Sequence, residues 1–317
     1  MAGDITPRTA ALPPNMDPVA ELVGESLAPA TRRAYRCGIA AFRAYCDDQG
    51  ISALPAEPET VAAFLAAGAA GGSSVSTLAQ RVAAIRWAHE AAGLESPTAA
   101  KLVRSTMQGI RRRLGVAPTR KAPATVERIS AMLAGIDRST TKGKRDAALL
   151  LVGFATALRR SELVALDLAD IEATDRGLLV TVRRSKTDQE GVGHLRAILP
   201  GQRDEHCPIR ALNEWLESGG ISSGRIFRAV NRHGRVADSL STHAVGELVK
   251  QAAKRAGLDP ADFAAHSLRA GFVTSAAERG ASAERIMDHT GHQSAAMVRV
   301  YTRRADAFAD HAGQGLL

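Results

Sequence analysis

In the segment Thr156–Leu166, Arg159 follows an apolar run, and Glu162 stands three residues later, near enough to orient its guanidinium. His266 and Arg269 are spaced i and i+3. On a helix that spacing puts both on one face, about 5–6 Å apart at Cβ, so an imidazole and a guanidinium can reach one phosphate together. Between Thr290 and Thr302, Gly291 breaks a helix ahead of His292, and Tyr301 follows nine residues on, within the next helix. Lys186 is the only lysine between Lys144 and Lys250, and it opens a polar stretch that runs to Gly193. Each segment alone has an ordinary reading: an ion pair, a surface helix, a core-edge tyrosine, a solvated lysine. Together, two arginines, two histidines, one lysine and one tyrosine make a phosphate clamp with a nucleophile. His289 and His292 could pair on a metal, but no Cys or carboxylate cluster stands at ligand spacing, so no metal site is expected.

The elements that must position these groups fall into two sets. Tyr35, Ile39, Phe42 and Cys46 form one helical stripe that Gly50 ends. Pro58 opens a second helix with Val61, Phe64 and Leu65 inside; Thr77 caps a third with Leu78, Val82 and Ile85 inward. A fourth runs from about Thr98, with Leu102, Val103, Thr106, Met107 and Ile110 on one side. Residues 28–113 therefore read as a small all-helical domain behind a loose leader, 1–27. After a linker at 114–124, residues 125–303 read as helices near 125–136, 143–155, 208–217, 242–256, 267–278, 282–288 and 294–303. Two alternating runs, Leu178–Ser185 and His194–Pro200, form a β-hairpin whose tip is the Lys186–Gly193 stretch. A tail, 304–317, follows. The fold class expected is mainly α with a small antiparallel β-sheet, built as a two-domain clamp.

Charge and composition narrow the partner. The chain carries 41 Lys and Arg against 33 Asp and Glu, a net charge of +8. Seven basic residues and no acidic one lie between Ser96 and Ala122: Lys101, Arg104, Arg111, Arg112, Arg113, Arg120 and Lys121. Such a strap suits a phosphate backbone. Aromatics make up only 4%, so a nucleic-acid surface here works through charge rather than base stacking. The apolar runs fall short of the ~20 residues that span a bilayer, and three cysteines without CxxC spacing point to a reducing compartment. A soluble protein of a prokaryotic cytoplasm, associated with the nucleoid, is expected, with no membrane partner.

The order Arg, Lys, His-x-x-Arg, Gly-His, Tyr, with these local sequences, closely resembles the tyrosine recombinase (phage integrase) family over residues 28–303. The resemblance implies an N-terminal core-binding (SAM-like) domain and an α+β catalytic domain. It implies the catalytic set Arg159, Lys186, His266, Arg269, His292 and nucleophile Tyr301, with Glu162 in support. The arginines would neutralise charge growing on the non-bridging oxygens. A free phenol titrates near about pH 10, so the nucleophile needs a proton acceptor. The resemblance gives that task to His266 and protonation of the 5′ oxygen to Lys186, while the opposite division of acid and base between them stays open. His292 would donate to a phosphate oxygen.

Expected partners are double-stranded DNA, through the basic strap and through Arg183 and Arg184 beside the lysine's strand, and further copies of the chain in a tetrameric synapse. The short leader leads us to expect no arm-binding domain and a short inverted-repeat core site. The tail resembles the segment that family members dock onto a neighbour. No cofactor is expected, and the sequence names no accessory protein. Two departures stand out. Ala157 occupies a position where the family often has glycine, harmless unless φ must be positive. One member carries tryptophan where this chain has His292. The competing readings are a type IB topoisomerase-like enzyme and a non-catalytic DNA-binding protein of the same fold.

Overall fold

The computed structural model describes residues 27–116, 120–183 and 193–306, and the chain divides into two units at Thr119 and Arg120. In the first unit, helix α1 (Pro29–Asp48) starts at a proline and buries Ile39, Phe42 and Cys46, the inner edge of its stripe. Helix α2 (Pro58–Ala70) buries Val61, Phe64 and Leu65 against it, and Phe42 meets Phe64 edge-on at 5.1 Å. Helix α3 (Val75–Ala91) begins earlier than expected. Ser74 is its N-cap and accepts from the Thr77 amide at 3.2 Å, because Ser74 is extended while Thr77 already lies inside the first turn. Helix α4 (Lys101–Leu114) buries Val103, Met107 and Ile110. Leu102 is 45% exposed, contrary to its expected place on that face. One position beside Val103 is a rotation of about 100°, which carries Leu102 off the stripe.

The second unit is built around helix α6 (Thr141–Thr156), whose Ala147–Gly153 stretch is buried on every side. A helix that is apolar all round belongs in the middle of a core. Helices α5 (Val126–Ala134) and α8 (Pro208–Ser218) pack on it, and short helix α7 (Arg160–Ala165) and helix α9 (Thr242–Arg255) contribute Leu163, Val245 and Leu248 to the same core. Trp215 of α8 is fully buried, and its indole donates to the Ile226 carbonyl at 2.9 Å. Residues 122–124 lie against this unit rather than free of it: the Ala122 and Ala124 amides donate to Asp262 and Ser267 carbonyls at 2.7 and 2.8 Å.

The sheet has three antiparallel strands in the order β1 (Ile171–Thr174), β2 (Gly177–Val182), β3 (His194–Ile198). Strand β1 was not expected. Its four residues, Ile-Glu-Ala-Thr, are mostly exposed and too few for their apolar–polar alternation to mark a strand. A Cβ at Gly177 would come within 2.2 Å of the Ile198 carbonyl oxygen, so only glycine lets β3 close on the turn. Helices α10 (His266–Glu278), α11 (Ala283–Thr290) and α12 (Ala295–Asp306) complete the unit around Val273, Ile286 and Val298.

Candidate active site

The turn between α6 and α7 sets the first group. Ala157 ends α6 in the left-handed region, at φ 50° and ψ 28°, and Leu158 is buried beneath it. Arg159 then caps α7. Glu162 holds it twice, accepting from the Arg159 amide at 2.8 Å and from its Nη1 at 2.7 Å. Both carboxylate oxygens are thereby spent on orienting one arginine. The backbone bond fixes where the side chain starts, and the ion pair fixes where it points.

The second group comes from α10. His266 and Arg269 share a face of its first turn, as i and i+3 require. Arg269 is buried, and its Nη1 donates to the Ala157 carbonyl at 2.7 Å, while among the described residues its Nη2 has no hydrogen-bond partner. Burial, and next the Arg159 guanidinium, pull Arg269 down to about 10, which leaves it charged at neutral pH. A buried, charged and half-satisfied guanidinium is costly in isolation and calls for an anion.

The third group closes the site from the C-terminal side. Gly291 leaves α11 at φ 69°, and His292 follows, 7% exposed, with Nδ1 2.6 Å from the Thr290 hydroxyl. Tyr301 on α12 sets its hydroxyl 2.8 Å from His266 Nε2, and its ring lies 6.4 Å from that of His292. Burial, then Arg269 and Arg159, hold His266 below its ordinary range. The same causes, with His266 added, push His292 down to about 4. Both imidazoles are therefore neutral near pH 7, and His266 Nε2 can accept the phenol's proton.

Five of the expected residues thus meet: Arg159, His266, Arg269, His292 and Tyr301. Lys186, and with it Arg184, lies outside the described residues. His289 points elsewhere: it stacks on Phe272 at 4.5 Å, and its Nε2 bonds the Ala155 carbonyl at 2.8 Å, tying α11 to the end of α6. Of the DNA-contact candidates, Lys101, Arg104, Arg111, Arg112, Arg113 and Arg120 are exposed. Lys121 donates to the Ala261 carbonyl at 2.6 Å, and Arg183 pairs with Asp170 at 2.5 Å.

Arg196 was missed. It is 7% exposed on β3, and its Nη1 donates to the carbonyls of Leu195 and Asp288. Among the described residues its Nε has no partner and no carboxylate pairs with it. Burial holds its pKa below the usual arginine range, with Glu162 and Arg159 as its charged neighbours. A Cβ on Gly291 would stand 2.7 Å from its Nη2, so the glycine serves both the left-handed turn and this close approach. The available signal was strand period: Arg196 shares the inward face of β3 with Ile198.

Residues 124–307 match the phage integrase family, and residues 22–95 match the phage integrase N-terminal SAM-like domain. An integrase/recombinase xerD homolog of Selenomonas ruminantium is 37% identical over 292 residues, covering 91% of this chain and 85% of that protein. Recombinase cre of Escherichia phage P1 is 26% identical, over 84% of this chain and 81% of its own. The fold is similar to that of XerH site-specific recombinase bound to palindromic difH substrate, with TM-score 0.64, 17% identity, and 90% and 79% of the two chains covered. It is also similar to lambda integrase solved as a tetramer on a Holliday junction, with TM-score 0.63, 19% identity, and 89% and 74% covered. The chain belongs to the phage integrase family, the tyrosine-type site-specific recombinases.

Proposed function

We propose that this recombinase cuts and rejoins double-stranded DNA through Tyr301, with Arg159, His266, Arg269 and His292 around the reacting phosphate and Lys186 as the proton donor to the leaving group. The observation that carries the reading is the Tyr301 hydroxyl on His266 Nε2 at 2.8 Å, in the field of Arg159 and of an Arg269 whose Nη2 has no partner among the described residues.

The chemistry follows from these atoms. Tyr301 gives its proton to His266 and attacks phosphorus. Arg269 Nη2 and Arg159, the latter held in place by Glu162, take up the charge that grows on the non-bridging oxygens. The bond to the 5′ oxygen breaks, Lys186 protonates that oxygen, and the DNA is left as a 3′-phosphotyrosyl ester with a free 5′ hydroxyl. The ester conserves the energy of the broken bond, so a 5′ hydroxyl from a partner duplex reverses the step without ATP. The DNA partner is supported by relatives and fold neighbours, several of them solved on DNA. A short inverted-repeat core site bound by a two-domain clamp, with four copies pairing two sites and the C-terminal tail linking neighbours, completes the proposal. So does action on the nucleoid of a prokaryotic cytoplasm; among the described residues no helix is long and apolar enough to cross a membrane.

Trapping the protein on genomic DNA through its covalent adduct and sequencing the attached ends tests the reading and supplies the unknown site. Ends that share one inverted-repeat sequence support it. Adducts scattered without sequence preference, together with relaxation of supercoiled plasmid, would favour the topoisomerase-like alternative.

A further inference from the structure

Thr290, the last residue of α11, is 1% exposed, and its single hydroxyl lies between two groups. Its Oγ1 is 2.6 Å from the Ile286 carbonyl oxygen and 2.6 Å from His292 Nδ1. A carbonyl oxygen can only accept, and two oxygens at that distance repel unless a proton lies between them. The hydroxyl has one proton, and it goes to Ile286. The contact with His292 then needs a proton of its own, and Nδ1 must carry it.

We infer that Thr290 is a positioning residue that fixes the His292 tautomer, so that His292 donates to the reacting phosphate only as an imidazolium formed when DNA binds. With Nδ1 protonated, the neutral ring has a lone pair on Nε2 and nothing to donate there. Donation to a phosphate oxygen requires one further proton, taken from solvent onto Nε2. The groups around the ring explain why it is absent beforehand. Arg269 and His266 face it from α10 and Arg159 from the turn before α7; the Tyr301 ring lies beside it on α12, and Arg196 of β3 reaches the adjacent Gly291. All the permanent charges in that set are positive, and they disfavour a further cation. A phosphodiester reverses the balance, which makes DNA binding a proton-uptake step.

The inference rests on the recombinase reading, but its first test does not. In the free full-length protein with ¹⁵N-labelled histidine, long-range nitrogen–proton spectra at pH 7 should show His292 neutral with Nδ1 protonated. Thr290→Ser should keep that pattern, and Thr290→Val should lose it. A His292 protonated on Nε2 in the wild type would overturn the inference, and this result stands even if the valine variant fails to fold. The second test uses a synthetic duplex carrying the site recovered by adduct trapping. Single-turnover cleavage by wild type and Thr290→Ser should fall about tenfold per pH unit on the alkaline side, where the imidazolium is lost, while Thr290→Val should show a shallower limb. Superimposable profiles for all three would overturn it. Failure of the recombinase reading is seen separately, as an adduct that survives Tyr301→Phe.

Discussion

The Ala157 carbonyl accepts a hydrogen bond from Arg269 Nη1 at 2.7 Å, across 112 residues of sequence. The left-handed turn that ends α6 is therefore part of how Arg269 is aimed. A non-glycine residue there costs about 1–2 kcal/mol. Ala157 is fully buried, so glycine would forfeit about 0.8 kcal/mol of methyl burial and about 0.5–1 kcal/mol of chain entropy. The terms nearly cancel, which explains why alanine is tolerated where glycine is common. Ala157→Gly should shift stability by less than about 1 kcal/mol, whereas Ala157→Val, β-branched at positive φ, should cost more than about 2 kcal/mol. Chemical denaturation checks both, and a valine variant as stable as wild type would show that the turn is not left-handed.

Among the described residues no carboxylate pairs with the buried Arg196, which argues that it is kept for function rather than stability. Arg196→Met should leave the melting temperature unchanged or raise it, because removing an unpaired buried charge relieves desolvation. Adduct formation should fall by about tenfold, the loss of roughly one hydrogen bond or charge contact of 1.4 kcal/mol. A variant that loses stability and activity together would mark Arg196 as a structural clamp between β3 and the end of α11.

Glu162 binds both the backbone and the side chain of Arg159. Glu162→Gln keeps the acceptor for the amide but loses the charge facing the guanidinium. Glu162→Ala loses both contacts and should destabilise the fold by about 1–3 kcal/mol. Cleavage should decline in the order wild type, Gln, Ala, with the loss appearing in the rate at saturating DNA. Equal rates for all three would mean that Arg159 is positioned without it.

The depressed histidines make stability depend on pH. His292, at about 4 in the folded state and near 6.5 unfolded, stays neutral in the native protein while the unfolded chain takes up a proton. Its contribution is fully present above pH 6.5 and is lost as the pH falls toward 4. The slope from this one residue reaches about 1.4 kcal/mol per pH unit. His266 and His289, lowered for similar reasons, act with the same sign. Thermal melts between pH 7 and 4 should show a steep decline that becomes shallower in His292→Asn. An identical decline in that variant would remove His292 as its source.

The parts of this fold that sequence made legible are those set by local spacing. His266 and Arg269 on one helix face, Glu162 beside Arg159 and the break at Gly291 each depend on a few consecutive residues. What was hidden depends on distant partners or on backbone angles. Arg196 meets the site only because β3 pairs with β2 and faces the end of α11, and the sign of φ at Ala157 follows from how α6 and α7 pack. The start of α3 turned on Ser74 being extended, which two nearby hydroxyl residues, Ser76 and Thr77, obscured.

Identifying the residue that becomes covalently attached to DNA bears most directly on the proposed reaction. After the wild-type protein reacts with the duplex recovered from genomic trapping, protease digestion and mass spectrometry should locate the nucleotide on the α12 peptide at Tyr301, and Tyr301→Phe should bind the same duplex without forming an adduct. Attachment at another side chain, or an undiminished adduct in the phenylalanine variant, would contradict the assignment of Tyr301 as the nucleophile.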